Sequence, residues 1–232
     1  MPASGVADLF DITALEAVPK DWLQTLAGEV LVANHVEMLP LPGTKPDEEQ
    51  LSRDSFGGNP MVGAEVAGGL GQVYTDFRIH ADGFGRLLIF DGGMSPRQRG
   101  RTAQRMLEID TYRVLALLTL PVARTLMPVL SGFETELGEI TSAMRGADEA
   151  DEPKLLNRLT LLHADVVREH TGSQFRFSAA RAYADLVILR ISELREDRIE
   201  GLQLFSEFSE RRLSPAMRTC EAAAERLSIT SE

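Results

Sequence analysis

The stretch SPRQRGRTAQRMLEIDTYRVLALLTL, Ser95–Leu120, decides how the chain is read, because it is a long helix carrying charge where a core helix is apolar. Ser95-Pro96 is a helix start: a serine hydroxyl accepts a bond from a free N–H of the first turn, and proline is pre-set for the first helical position. No proline follows until Pro121, which allows about seven turns at 3.6 residues per turn. Met106, Leu107, Val114, Leu117 and Leu118 form an apolar stripe, with Ala103 and Asp110 on it and Arg113 on the neighbouring row. A charge withdrawn from water needs a partner. The expected partners of Asp110 and Arg113 are Arg181 and Arg190, on a later helix with the stripe Phe177, Ala180, Ala184, Val187, Ile191 and Leu194. These four residues are expected to form buried structural ion pairs that fix helix register.

Arg97, Arg99, Arg101 and Arg105 crowd the first turns, where the helix dipole already presents positive charge. An anion is expected to offset them. The acidic run Asp148–Glu152 is one source within the chain, and a phosphate bound by Arg97, Arg101 and Arg105 is the alternative.

Outward from this helix the chain changes character. Fourteen of its 19 glycines and seven of its 11 prolines lie in the first 100 residues. That asymmetry predicts a loop-and-strand half followed by a helical half, with a boundary at Gly92-Gly93 and domains at 1–93 and 94–232. The first half reads as a short helix at Pro19–Ala27 with Trp22 and Leu23 inward, a strand at Glu29–Leu39, a polar loop at Pro40–Asn59 and a strand at Met61–Ala67. A hairpin follows, Gln72–Ile79 turning at Ala81-Asp82-Gly83 into Gly85–Asp91. The fold class is α+β: a small antiparallel sheet of about four strands, then a bundle of long antiparallel helices. Those helices are expected at Ser131–Arg145 after breaks at Pro121 and Pro128, at Glu152–Glu169 up to Gly172, at Phe175–Glu200 up to Gly201, and at Leu204–Leu227 with an interruption at Pro215.

Composition narrows function. A length of 232 residues with 44% hydrophobic and 25% charged residues is globular, and a net charge of −11 opposes nucleic-acid binding, which needs a basic surface. The single cysteine, Cys220, forms no internal disulfide and makes the cytoplasmic side the default. The N-terminus has no signal-peptide pattern, and no run approaches about 18 uninterrupted apolar residues, so no spanning segment is expected.

No motif carries a reaction. Gly68-Gly69-Leu70-Gly71 lacks the lysine of a phosphate loop and precedes a strand, so it reads as a turn. His35, His80, His163 and His170 lack metal-ligand spacing; Asp76 and His80 would need a third ligand from the fold. Glu193 and Glu196 suit a solvated helix face better than acid–base work, and no serine sits in a nucleophile context. The sequence names no cofactor.

Several phrases resemble a known family: Gly100-Arg101, Gln104-Arg105, LEIDTYR (Leu107–Arg113), ALLTLP (Ala116–Pro121), TDFRIHADGFGR (Thr75–Arg86), FRFSAARAY (Phe175–Tyr183), ISELRE (Ile191–Glu196) and RRLSPAMRTC (Arg211–Cys220). In this order they are similar to the domain-of-unknown-function family 3422, bacterial proteins predicted to be membrane-anchored. The resemblance runs from about Trp22 to the C-terminus. It implies longer parents, with an extra N-terminal segment and a C-terminal hydrophobic anchor, and it supplies no catalytic residues. The chain is therefore expected to be either the soluble portion of such a protein, attached to the membrane only through that anchor at the cytoplasmic face, or a natural form without the anchor. Non-enzymatic self-association or scaffolding as a homo-oligomer is the leading expectation, from long amphipathic helices that offer more apolar surface than a small sheet covers. An extramembrane domain of an ion transporter or channel, and a binder or enzyme for a phosphorylated small molecule at the arginine-rich helix start, are the alternatives.

Overall fold

A computed structural model describes residues 9, 10, 25, 27–148 and 150–231. The helix expected at Pro19–Ala27, with Trp22 and Leu23, lies outside the described residues except at Thr25 and Ala27. The architecture is α+β: strands β1 (Asn34–Pro40), β2 (Val62–Val66), β3 (Gly71–Thr75), β4 (Gly85–Asp91) and β5 (Asp197–Arg198), and helices α1 (Glu48–Phe56), α2 (Pro96–Leu117), α3 (Thr119–Met144), α4 (Glu152–Leu194) and α5 (Phe205–Ser231). Two compact units result, Met1–Val114 with Leu186–Ser209, and Leu115–Asp185 with Glu210–Glu232. Each unit is thus discontinuous in sequence, whereas the sequence reading placed one boundary at 93/94.

In the first unit the sheet order is β1-β4-β3-β2-β5. The expected hairpin is present as the antiparallel pair β3–β4, and β2 pairs antiparallel with β3 and β5. The sheet is mixed, because β1 runs parallel to β4 with His35 opposite Arg86 and Leu39 opposite Phe90. The cause is α1, which the sequence reading took for loop. Asp47 caps its start by accepting from the N–H groups of Glu49 and Gln50 at 3.0 and 3.2 Å. Gly57 ends it at φ 62°, the left-handed conformation that costs glycine little. A helix between β1 and β2 carries the chain across the sheet, so that β2 enters with two strands between it and β1 and in the same sense, and β1 at the edge pairs in parallel with β4. α1 buries Leu51 and Phe56 in a core with Tyr74, Leu88, Phe90, Met61 and Phe10.

α2 begins as expected. Ser95 and Gln98 form a reciprocal cap, the Ser95 N–H donating to Gln98 Oε1 at 2.9 Å and the Gln98 N–H to Ser95 Oγ at 3.4 Å. Its buried line is Thr102, Met106, Ile109 and Ala116, one residue round from the expected stripe; Leu118 is exposed. A small cavity lined by Thr75, Leu87, Met106 and Asp110 shows that Met106 faces the sheet. That rotation leaves Asp110 half-buried at the edge of the helix rather than in the core.

The second unit is helical. α3 starts earlier than expected, at Thr119, because Pro121 falls in the first turn, where a missing N–H breaks no helical bond; Pro128 is carried inside the helix. Gly172 does not break α4, which runs through it to Leu194. A helix-interior glycine costs only about 1 kcal/mol, less than the packing of the flanking turns returns. α4 ends before the expected Glu200, at Arg195 with φ 51°, and the chain then forms β5. α5 includes Pro215 without interruption. Thr119 donates to the Arg176 carbonyl at 3.4 Å, and Arg158 lies 3.6 and 3.5 Å from Glu136 and Glu139, so α3 and α4 are antiparallel. Leu126, Leu130 and Ile140 of α3, Leu162 and Val166 of α4, and Leu213, Ala223 and Leu227 of α5 supply buried side chains.

One stretch among the described residues, Pro96–Met144, is long and apolar enough to cross a membrane by length and composition, with a mean hydropathy of 1.7 in its best window and 28% of that window buried. The search for uninterrupted apolar runs does not pick out this stretch, because it counts no average. Thr119, Pro121 and Arg124 punctuate the segment without lowering its average far. A core helix of a soluble protein passes the same test.

Candidate functional site

The polar residues of the first unit converge at the β3–β4 connection, the phrase Thr75–Arg86. Asp76 is 4% exposed, and its carboxylate accepts from Asn59 Nδ2 at 2.8 Å and from the Arg78 N–H at 3.2 Å. His80 Nε2 lies 3.0 Å from Asp76 Oδ2 without forming a hydrogen bond, and this buried nitrogen has no other partner among the described residues. Asp82 accepts from the Phe84 N–H at 3.0 Å and pairs with Arg86 at 3.2 Å. Burial alone would raise the Asp82 carboxyl, but the Phe84 N–H and the Arg86 guanidinium outweigh it and hold the group below the usual range. Arg86 also donates to the Ser55 carbonyl at 2.6 Å and sits 5.4 Å from the Phe10 ring centroid. The fold thus joins Asp76 and His80, as their spacing allowed. No group of three or more His, Cys, Asp or Glu suited to a metal occurs among the described residues.

On the α2 side of the sheet, Arg113 pairs with Asp110 at 2.6 Å, three residues away on the same helix. The other Asp110 oxygen accepts from Asn34 Nδ2 at 2.9 Å. A Cβ at Gly85 would collide with the Asn34 side chain, so glycine there leaves the amide room to reach α2. Arg113 lies 4.8 Å from the Phe77 ring centroid and donates to the Phe77 carbonyl at 3.4 Å. Phe77 has φ 51°, a strained value for a bulky side chain, and stacks on Phe208 at 4.8 Å. The cavity among Asn34, Thr75, Phe77 and Asp110 measures about 10 Å³, room for a single water at most.

The other site residues follow different partners from those expected. Arg190 pairs with Glu108 and, at 3.1 Å, with Glu193; Arg105 reaches the same Glu193 oxygen at 3.1 Å. This alternating cluster links α2 to α4, and its side chains are 21–34% exposed. Burial raises the Glu108 carboxyl, but bonds from Gln104 and Arg190 and the charge of Arg105 bring it below its ordinary value. Arg190 is raised, chiefly by its bond to Glu108. Neither Arg181 nor Arg190 is the partner of Asp110: Arg181 is 64% exposed and pairs with Glu221 at 3.3 Å. The reason is reach along one helix, since Arg113 stands one turn from Asp110 and supplies the charge locally.

The arginine cluster divides in the same way. Arg99 pairs with Asp91 at 2.7 Å, and Arg105 is held by Glu193. Asp91 is lowered by the N–H groups of Gly93 and Met94 and by Arg99, against a small opposing effect of burial. Arg97 and Arg101 are exposed and make no ion pair among the described residues. Asp151 of the acidic run pairs with Lys154 at 3.0 Å. The sequence reading missed Asn34, Asn59, Glu108 and Arg86; the phrase around Arg86 was visible, but partners drawn from distant segments leave no local signal.

The second unit holds a cavity of about 220 Å³ between α4 and α5, lined by Phe177, Met217, Cys220 and Leu227 with His170, Arg181 and Glu221. Cys220 is 3% exposed, and burial pushes its thiol up, away from the thiolate a nucleophile needs.

The family model for Protein of unknown function (DUF3422) matches residues 2–232. The chain belongs to this family. No curated protein and no solved structure matches it. The resemblance seen in the phrases is therefore the family itself, and the clusters above lie within those same phrases: Asp76, His80, Asp82 and Arg86 in the first hairpin, Glu108, Asp110 and Arg113 in LEIDTYR, Glu193 in ISELRE.

Proposed function

We propose that this chain is a self-associating, non-enzymatic module, the extramembrane portion of a membrane-anchored parent that it helps to assemble. The observation that carries the reading is the exposed apolar surface of α4. This helix bears Leu156, Leu161, Val167, Phe175, Ile188 and Leu189, six of the fifteen large hydrophobic residues exposed among those described. Apolar side chains gathered on one long helix, rather than scattered, mark a surface that is covered in use. The buried polar residues of the first unit support the reading from the other side. Buried Asp76 and half-buried Asp110 and Arg86 each bind protein groups around the irregular β3–β4 connection, and the cavity beside Asp110 admits no substrate. The anchored setting rests on the family resemblance.

Sedimentation equilibrium of the chain from low to high micromolar concentration tests this. The expected result is a mass that rises with concentration to at least a dimer. A mass of one chain throughout overturns it.

A further inference from the structure

We infer that a second copy of this chain covers one face of α4 in antiparallel register, about a twofold axis that passes between Arg176 and Phe177. The inference rests on the self-association reading and specifies its surface. At 100° per residue, Leu156, Asn157, Thr160, Ala164, Val167, Thr171, Phe175, Ser178, Ala182 and Asp185 fall within about a third of the helix circumference. All ten are exposed. Phe175 is 82% exposed, the most of any large hydrophobic residue described.

In a chain that is 25% charged, this face carries one charged residue within it, Asp185, and one at its border, Arg168. A solvated helix face spends its positions on charge. This one spends them on alanine, serine, threonine and three large apolar residues, the composition that lets a second helix approach closely and interlock.

The two charges choose the partner's direction. Two copies laid parallel and in register would set Arg168 against Arg168 and Asp185 against Asp185. Reversed about the Arg176–Phe177 midpoint, Arg168 of one copy stands level with Asp185 of the other. Asp185 has no ion pair within its own chain among the described residues, and Arg168, 69% exposed, is held only by its near neighbours Asp165 and Glu169. The same reversal sets Phe175 opposite Ser178 and Thr171 opposite Ala182, so that in the central turns the larger side chain meets a small one. Such a contact is isologous and closes as a dimer, because each copy offers the same patch.

Two variants of the full chain test the proposal. Phe175→Glu puts a charge at the centre of the face while the exposed site keeps the fold, as circular dichroism would verify; the dimer dissociation constant in sedimentation equilibrium should rise at least about tenfold, in the range of a central interface residue. The double variant Thr171→Cys/Ala182→Cys should form a covalent dimer on mild oxidation, while each single cysteine should not, because in this register each meets only the other. The native Cys220 is buried and does not compete. Cross-linking by each single variant would overturn the antiparallel register. A wild-type dimer that is unaffected by Phe175→Glu and uncross-linked in the double variant would overturn this face while leaving self-association standing. A wild-type chain that stays monomeric would remove both.

Discussion

The two units handle polar and apolar groups in opposite ways. In the first, charge is drawn inward and consumed: Asp76, Asp110 and Arg86 are buried or half-buried, and protein groups from β1, α1, α2 and the β3–β4 connection bind them. In the second, the ion pairs described lie at the surface, as in Arg158 with Glu136, Arg181 with Glu221 and Arg226 with Glu134, and large apolar side chains such as Leu156 and Phe175 also face outward. On the proposed reading, the difference separates where conformation is fixed from where a second chain would bind. Buried polar networks fix one conformation, because each member loses its partner if the chain shifts. An outer helix face with few charges is the surface proposed for a second copy.

The largest effect should come from breaking the first unit's network at its most enclosed member. Asp76→Ala removes the acceptor for Asn59 and Arg78 and the charge that faces His80, leaving buried donors unsatisfied. A buried neutral donor left without its acceptor costs about 1–3 kcal/mol. Urea unfolding followed by circular dichroism should show this drop, and Asp76→Asn, which keeps an oxygen of similar reach, should lose clearly less. Equal loss in both variants would assign the effect to packing rather than to charge.

How much of this was legible follows from the range of each interaction. The β3–β4 hairpin and the start of α2 were readable, since Ala81-Asp82-Gly83 and Ser95-Pro96 act on their immediate neighbours. α1 was not: EEQLSRDSF is polar, and only Leu51, Ser55 and Phe56 turn inward, while its caps, Asp47 and Gly57, are a signal that a reading by composition passes over. Without α1 the parallel pairing of β1 with β4 cannot be inferred, because those strands are joined through a helix and two other strands. Asp110 was recognised as a charge needing a partner. That the partners are Arg113 and Asn34 was not readable, because the helix is rotated by one residue from its apparent stripe and Asn34 comes from the far edge of the sheet.

Acid should separate the units next. Asp82, Asp91 and Glu108 of the first unit have folded-state values below their ordinary ones of 3.8, 3.8 and 4.5, and in the second unit Glu134 is lowered by its bond to Arg226. A carboxyl depressed by folding contributes stability that is complete above its unfolded value and is lost as pH falls through the folded one. Stability should therefore hold down to about pH 4.5 and decline below it. Glu108→Gln should flatten that decline by removing one titrating group while its neighbour Arg190 keeps Glu193. An acid limb of unchanged slope would mean that Glu108 does not titrate differently in the folded chain.

The smallest effect should attend the best-formed ion pair of the second unit. Arg226 grips Glu134 with two bonds of 3.0 and 2.6 Å and touches Ser131 at 3.2 Å, geometry that looks decisive. Both side chains are nonetheless solvated, at 30% and 47% exposure. Water and salt screen such a pair, and fixing two long side chains costs entropy that cancels much of the attraction. Arg226→Ala should move the urea midpoint far less than Asp76→Ala, and the shift should shrink further in high salt. A loss comparable with that of Asp76→Ala would show that the second unit, like the first, depends on its charges, and its outer surface would then have to be read as a network rather than as a face kept free for a second chain.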